Sequence, residues 1–123
     1  PRMGRILVVE DDASVGSLIA EILAQAQLEA VCVQTDTDAY AALRANAFQA
    51  LVVDVNLGRG ATGYDVARFA RQSVPDLPVV YVSGEASPET SEAAGVPDSD
   101  FIVKPFEPAH LVATLRARMA KLG

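Results

Sequence analysis

The 123-residue sequence predicts an α/β fold, in which five parallel strands alternate with five helices that cover both faces of the sheet. Three observations carry that prediction. Apolar, largely β-branched runs occur at Ile6-Leu7-Val8-Val9, Leu51-Val52-Val53 and Val79-Val80-Tyr81-Val82. An unbroken run of this kind suits a strand buried on both faces, as parallel strands are. Each run closes on a polar residue: Glu10, Asp54 or Ser83. Between the runs the apolar residues recur every third or fourth position, the mark of crossover helices.

In chain order, the first strand leads through Glu10-Asp11-Asp12 into a helix from Ala13, whose stripe is Val15, Leu18, Ile19, Ile22, Leu23 and Ala26. Asp12 or Ser14 can cap its start. Residues 28–33 form a shorter strand, and Thr35-Asp36-Thr37-Asp38 precedes a small Ala-rich helix over 39–45. The central strand spans 48–55. After it, three glycines in Gly58-Arg59-Gly60-Ala61-Thr62-Gly63 make a flexible loop. A third helix covers 64–73 with Val66, Ala67, Ala70 and Val74 on one face, and Pro75 and Pro78 bracket the turn into strand 79–82. Ser87 and Pro88 start a short, weakly packed helix over 87–94, which Gly95 and Pro97 end. Phe101-Ile102-Val103 is the last strand, and 107–122 the last helix, with Leu111, Leu115, Met119 and Leu122 along one side.

The length suits one domain over 1–123, with its core at about 5–120, and 50% apolar with 21% charged residues is globular composition. A net charge of -6 argues against a nucleic-acid surface, which needs clustered Lys and Arg. The lone Cys32 cannot form an internal disulfide and is expected to be buried and inert. No apolar run approaches bilayer length and no signal peptide is visible, so a cytoplasmic setting with no membrane partner is expected. The start at Pro1 suits a chain trimmed or cut from something longer.

In a parallel sheet the strand ends share one edge, where ligands of open α/β sheets bind. That edge gathers Glu10-Asp11-Asp12, Asp54, Ser83 and Lys104. Carboxylates brought together repel, and a divalent cation or a raised pKa resolves the conflict. Magnesium takes oxygen ligands, which Glu10, Asp11, Asp54 and the backbone carbonyl of Asn56 can supply. A hydroxyl and a Lys beside a free carboxylate match phosphoryl transfer onto Asp54, where catalysis is mostly charge neutralisation. Lys104 then neutralises one phosphoryl oxygen and Ser83 donates to another. Singly, each residue has an ordinary role: Asp11, Asp12 and Asp54 as caps, Ser83 as a turn residue, Lys104 as a solvated charge. Their position at the ends of four separate predicted strands is hard to assign to chance.

From Ile6 to about Met119 the chain resembles the receiver domain of bacterial two-component response regulators. The motifs are Leu7-Val8-Val9-Glu10-Asp11-Asp12, Val52-Val53-Asp54-Val55-Asn56-Leu57, Val82-Ser83-Gly84-Glu85 and Val103-Lys104-Pro105-Phe106. The resemblance implies a flavodoxin-like, doubly wound sheet in the order 2-1-3-4-5. It implies that Asp54 is the phosphoacceptor, that Asp11 and Asp54 bind Mg2+ (with Mn2+ able to substitute), and that Glu10 acts through water. It further implies that Ser83 and Phe101 are switch residues, that Lys104 is the family's lysine with a cis bond to Pro105, and that Asn56 and Glu85 tune phosphoryl lifetime. Three features depart from the family: Leu57-Gly58 replaces the usual Met-Pro, the loop to Gly63 is about one residue longer, and the segment 87–100 is short and without Lys or Arg. Phe101 also lacks the hydroxyl of the commoner Tyr.

The function expected is a phosphoacceptor switch and not an enzyme, promoting only its own aspartyl phosphorylation and dephosphorylation. A histidine kinase or histidine phosphotransfer protein donates, and the face of the fourth helix, fifth strand and fifth helix changes its binding to an output domain or downstream protein. The alternative is a receiver-like interaction module that works without phosphorylation. An aspartyl-phosphate phosphatase would need a second acid where Asn56 stands, and a nucleotide-binding domain would need glycines where Glu10-Asp11-Asp12 stand. His110 reads as a surface residue. Stand-alone regulator, part of a larger one, segment of a hybrid kinase and homodimer all stay open.

Overall fold

The computed structural model describes residues 4–84 and 93–121. The strands are β1 (Gly4–Val9), β2 (Leu28–Val33), β3 (Ala50–Asp54), β4 (Val79–Ser83) and β5 (Asp100–Val103), and the helices are α1 (Ala13–Gln25), α2 (Asp36–Ala45), α3 (Gly63–Ser73) and α4 (Pro108–Ala120). All strand pairs are parallel, in the order β2-β1-β3-β4-β5. Four helices are present among the described residues, where five were expected. The remaining one was placed over 87–94, of which only Ala93 and Ala94 are described, both helical.

Alternation along the strands makes two cores. Leu7, Val9, Leu51, Val53, Val79 and Tyr81 face α2 and α3, where Ala39, Val66, Ala67 and Ala70 meet them. Ile6, Val8, Val52, Val80, Val82 and Ile102 face α1 and α4, where Ile19, Leu23, Leu111 and Leu115 meet them. Every residue of β3 and β4 is therefore buried, which is why both strands read as continuous apolar runs. Each such Val or Leu contributes about 1.5–3 kcal/mol by leaving water.

Side-chain caps fix where the helices start. Asp12 Oδ1 accepts from Ser14 N at 2.9 Å and Val15 N at 3.3 Å, so Asp12 rather than Ser14 caps α1. Thr35 caps α2 from Asp38 N at 3.0 Å. That cap lets α2 begin at Asp36, three residues before the apolar pattern becomes visible. Thr62 caps α3 in the same way, and Pro108 takes the first turn of α4.

Three burial expectations need correction. Leu18 is 55% exposed because it sits on the margin of the α1 stripe, whose centre is held by Gly16, Ile19 and Leu23. Val74 is 40% exposed because it is the residue that ends α3 and has left the helical path. Cys32 is exposed, since β2 is an edge strand; its Sγ donates to the Gly16 carbonyl at 3.4 Å.

Candidate functional site

The strand register brings the predicted residues together. Val9 lies beside Val53, Asp54 beside Val82, and Ser83 beside Val103, so Glu10, Asp54, Ser83 and Lys104 emerge at one edge. Glu10 N donates to Val33 O and Lys104 N to Ser83 O, each at 3.0 Å, extending the sheet by one residue at both places. Glu10 (2% exposed), Asp54 (6%) and Ser83 (1%) are the buried polar residues among those described.

Lys104 Nζ donates to Glu10 Oε2 at 2.8 Å and to Asp54 Oδ2 at 3.3 Å. The other Glu10 oxygen accepts from Asp12 N at 3.3 Å, and the other Asp54 oxygen from Asn56 N at 3.2 Å. Glu10, Asp11 and Asp54 each offer a carboxylate oxygen within 4.8 Å of the others. Asp11 is exposed at the mouth of this cluster. One ammonium thus serves two buried carboxylates with a third beside them.

The electrostatics follow from that imbalance. Burial pushes the Glu10 carboxyl up to about 7; the Lys104 contact works against this, while the like charge of Asp54 adds to it. Burial alone would lower the Lys104 pKa, yet the hydrogen bond to Glu10 and the charges of Asp54 and Glu10 raise it. An isolated ion pair would lower its acid and raise its base. Here both rise, because Lys104 gains two carboxylates while Glu10 shares one ammonium and loses its water.

Phe101 is half-buried and packs against the α2–α3 core. The Lys104–Pro105 peptide bond is cis. Asn56 is exposed just after Asp54, and Glu85 lies outside the described residues. His110 is exposed at the start of α4.

The loop after Asp54 is laced rather than open. Gly58 N donates to Asn56 Oδ1 at 3.0 Å, Leu57 N to Ala61 O at 3.1 Å and Ala61 N to Gly58 O at 2.9 Å, while Asn56 bridges Thr62. Gly58, Arg59 and Gly60 turn with φ of +78°, +54° and +80°. Gly63 then brings the start of α3 against β3, its N–H donating to Val55 O at 2.8 Å. A Cβ on Gly63 would overlap the Asp54 carbonyl oxygen. The glycines had marked a loop, but nothing in their spacing revealed this close approach.

Sequence reasoning also missed how the connection into β5 is held. Arg68 donates to Ala94 O at 2.7 Å, and Arg71 to Leu77 O at 2.7 Å, Pro97 O at 2.8 Å and Asp98 O at 3.0 Å. Val96 N donates to the Tyr81 hydroxyl at 3.0 Å. Charged residues on an amphipathic helix ordinarily read as solvated, so these contacts had no signal in the pattern.

A family model described as the response regulator receiver domain matches residues 6–116. The chain belongs to that family. The receiver chain is 32% identical over 117 residues to the regulatory protein VirG of Agrobacterium tumefaciens (strain 15955), covering 93% of this chain and 43% of VirG. It spans about half the length, or less, of the relatives it matches. A response regulator receiver protein from Sinorhizobium medicae WSM419 has the same fold at a TM-score of 0.90 and 28% identity, with 96% and 95% of the two chains covered. The receiver domain of sensor histidine kinase PA1611 from Pseudomonas aeruginosa PAO1 carries magnesium in its active-site cleft. It shares the fold at a TM-score of 0.83 and 23% identity, with 96% and 98% covered. Among the described residues no helix is long and apolar enough to cross a membrane.

Proposed function

We propose that this chain is one receiver domain over 1–123 that works as a phosphoacceptor switch, with Asp54 taking a phosphoryl group from a histidine kinase or histidine phosphotransfer protein. The observation that carries the reading is the convergence of Glu10, Asp11 and Asp54 with Lys104 on one sheet edge. Membership of the receiver family supports it.

The donor set fits a hard divalent cation, since three carboxylates face one ammonium and all offer oxygen. Asp11 and Asp54 would hold Mg2+ or Mn2+ directly, with Glu10 through water and the Asn56 backbone carbonyl as a further ligand. When bound, the cation supplies positive charge to phosphoryl oxygens and to the attacking carboxylate. An Asp54 carboxylate oxygen forms a bond to phosphorus as the bond from phosphorus to the donor nitrogen breaks, its electron pair staying on that nitrogen. Lys104 already reaches Asp54 and neutralises a phosphoryl oxygen as it arrives. The Ser83 hydroxyl donates to another, moving with Phe101, whose ring packing transmits the change. Asn56 and Glu85 set how long the phosphoryl group lasts.

The altered surface is the face of the segment around 87–94, β5 and α4, read by an output domain or a downstream protein. We read the setting as cytoplasmic and the chain as promoting only its own phosphorylation and dephosphorylation, without direct nucleic-acid contact. Intact mass after incubation with magnesium and acetyl phosphate tests it. One added phosphoryl group in wild type and none in Asp54→Asn is expected. No gain in wild type overturns the proposal.

A further inference from the structure

The field at the mouth of the site is one-sided. Glu10, Asp11 and Asp54 cluster there, and an incoming phosphodonor is itself an anion. Among the described Lys and Arg, Arg5 lies in β1, Arg44 in α2, and Arg116, Arg118 and Lys121 in or just after α4. Arg68 and Arg71 lie in α3 and are occupied by Asp65 and backbone carbonyls. Among the described Lys and Arg, Lys104 and Arg59 alone stand on loops at the carboxyl edge of the sheet. Lys104 is already bonded to two carboxylates.

Arg59 is placed oddly. It occupies the tip of the laced turn with φ +54°, between two glycines that adopt the same left-handed backbone without penalty. A long side chain pays for that conformation unless something returns the cost. Among the described residues Arg59 is exposed and makes no hydrogen bond or ion pair. The turn beneath it is tied to the phosphoacceptor, since Gly58 N bonds Asn56 Oδ1 and Asn56 N bonds Asp54 Oδ1. Observed strain beside the site, with no contact among the described residues to offset it, points to a contact made with a ligand.

We propose that Arg59 is a donor-recognition residue, a guanidinium on the turn that follows Asp54, without a partner among the described residues, that attracts and orients the anionic phosphoryl group of the donor. A guanidinium matches phosphoryl oxygens in geometry as well as charge. The inference rests on the reading of Asp54 as phosphoacceptor. Arg59 itself forms and breaks no covalent bond.

The test measures initial rates of Asp54 loading from acetyl phosphate at saturating magnesium, by intact mass, for wild type, Arg59→Gly and Arg59→Lys. Arg59→Gly is expected to load about fivefold more slowly at low salt, with the gap closing near 1 M salt as charges are screened. Arg59→Lys should keep most of the rate. Its backbone now relaxed, Arg59→Gly should melt no lower than wild type. Equal rates for wild type and Arg59→Gly at low salt overturn the proposal. So does a slowing that salt leaves unchanged or that Arg59→Lys shares, or a lower melting point for Arg59→Gly, since each marks a structural role. If wild type takes no phosphoryl group, the reading of Asp54 falls, and the role of Arg59 with it.

Discussion

Replacing Gly63 by Ala sets a methyl group against the backbone of the central strand at the very residue that carries the candidate phosphoacceptor. The new carbon would overlap the Asp54 carbonyl oxygen and lie 2.9 Å from Val53 Cγ2 and 3.0 Å from the Asp54 carbonyl carbon. β3 cannot retreat, because it is buried on both faces and paired on both sides. The start of α3 must move instead, stretching the 2.8 Å bond from Gly63 N to Val55 O. Overpacking costs about 1–3 kcal/mol, and a weakened buried hydrogen bond adds about 1 kcal/mol. The helix gains at most ~1 kcal/mol from losing a glycine. The expected net loss is about 2 kcal/mol, which in urea moves the unfolding midpoint down by roughly 0.7–2 M. Gly16→Ala is the control: its Cβ would meet only Glu10 Cβ and Cγ, at 3.7 and 3.9 Å, inside α1. That variant should gain about 0.5–1 kcal/mol. A Gly63→Ala midpoint within the range of wild type and Gly16→Ala would refute the close approach.

Two further outcomes follow from buried polar groups. The Glu10 carboxyl is raised to about 7 from 4.5, so the folded chain holds a proton that the unfolded chain has released; stability from this group is present below about pH 4.5 and is lost as pH rises through 7. In chelator, wild type should therefore lose about 3 kcal/mol more than Glu10→Gln between pH 4.5 and 7.5, read from urea midpoints, and parallel curves would count against it. Separately, the Tyr64 hydroxyl is buried without a hydrogen-bond partner among the described residues, its ring 5.1 Å from that of Tyr81. Tyr64→Phe should stabilise the fold by about 1 kcal/mol in thermal or urea unfolding, and a destabilised variant would mean that the hydroxyl has a partner.

What could be read from the sequence was set by how strongly burial constrains residue type. β3 and β4 are dry on both faces, so only apolar residues fit and the runs announce themselves. The order and parallel pairing of the strands then bring Glu10, Asp54, Ser83 and Lys104 to one edge, which the polar residue ending each run had marked. Leu18 misled because a 3.6-residue stripe has margins, and a large side chain there satisfies the period while staying in solvent. The lacing of residues 56–62 was hidden because, apart from the Asn56 side chain, it depends on backbone hydrogen bonds, which leave no trace in residue type beyond the glycines. Arg68 and Arg71 were hidden for a related reason: their acceptors are carbonyls, present at every position.

That last feature bears on how the chain can change over evolutionary time. The connection from Ala94 to Asp98 is held through main-chain oxygens by Arg68 and Arg71, and through the Val96 N–H by Tyr81. Every amino acid brings the same carbonyl, and all but proline the same N–H. The path into β5 is thus specified by α3, β4 and the buried Val96 side chain, while the exposed side chains along the connection are left largely unconstrained. A surface whose route is fixed and whose lettering is free can acquire a new partner without disturbing the machinery beneath it.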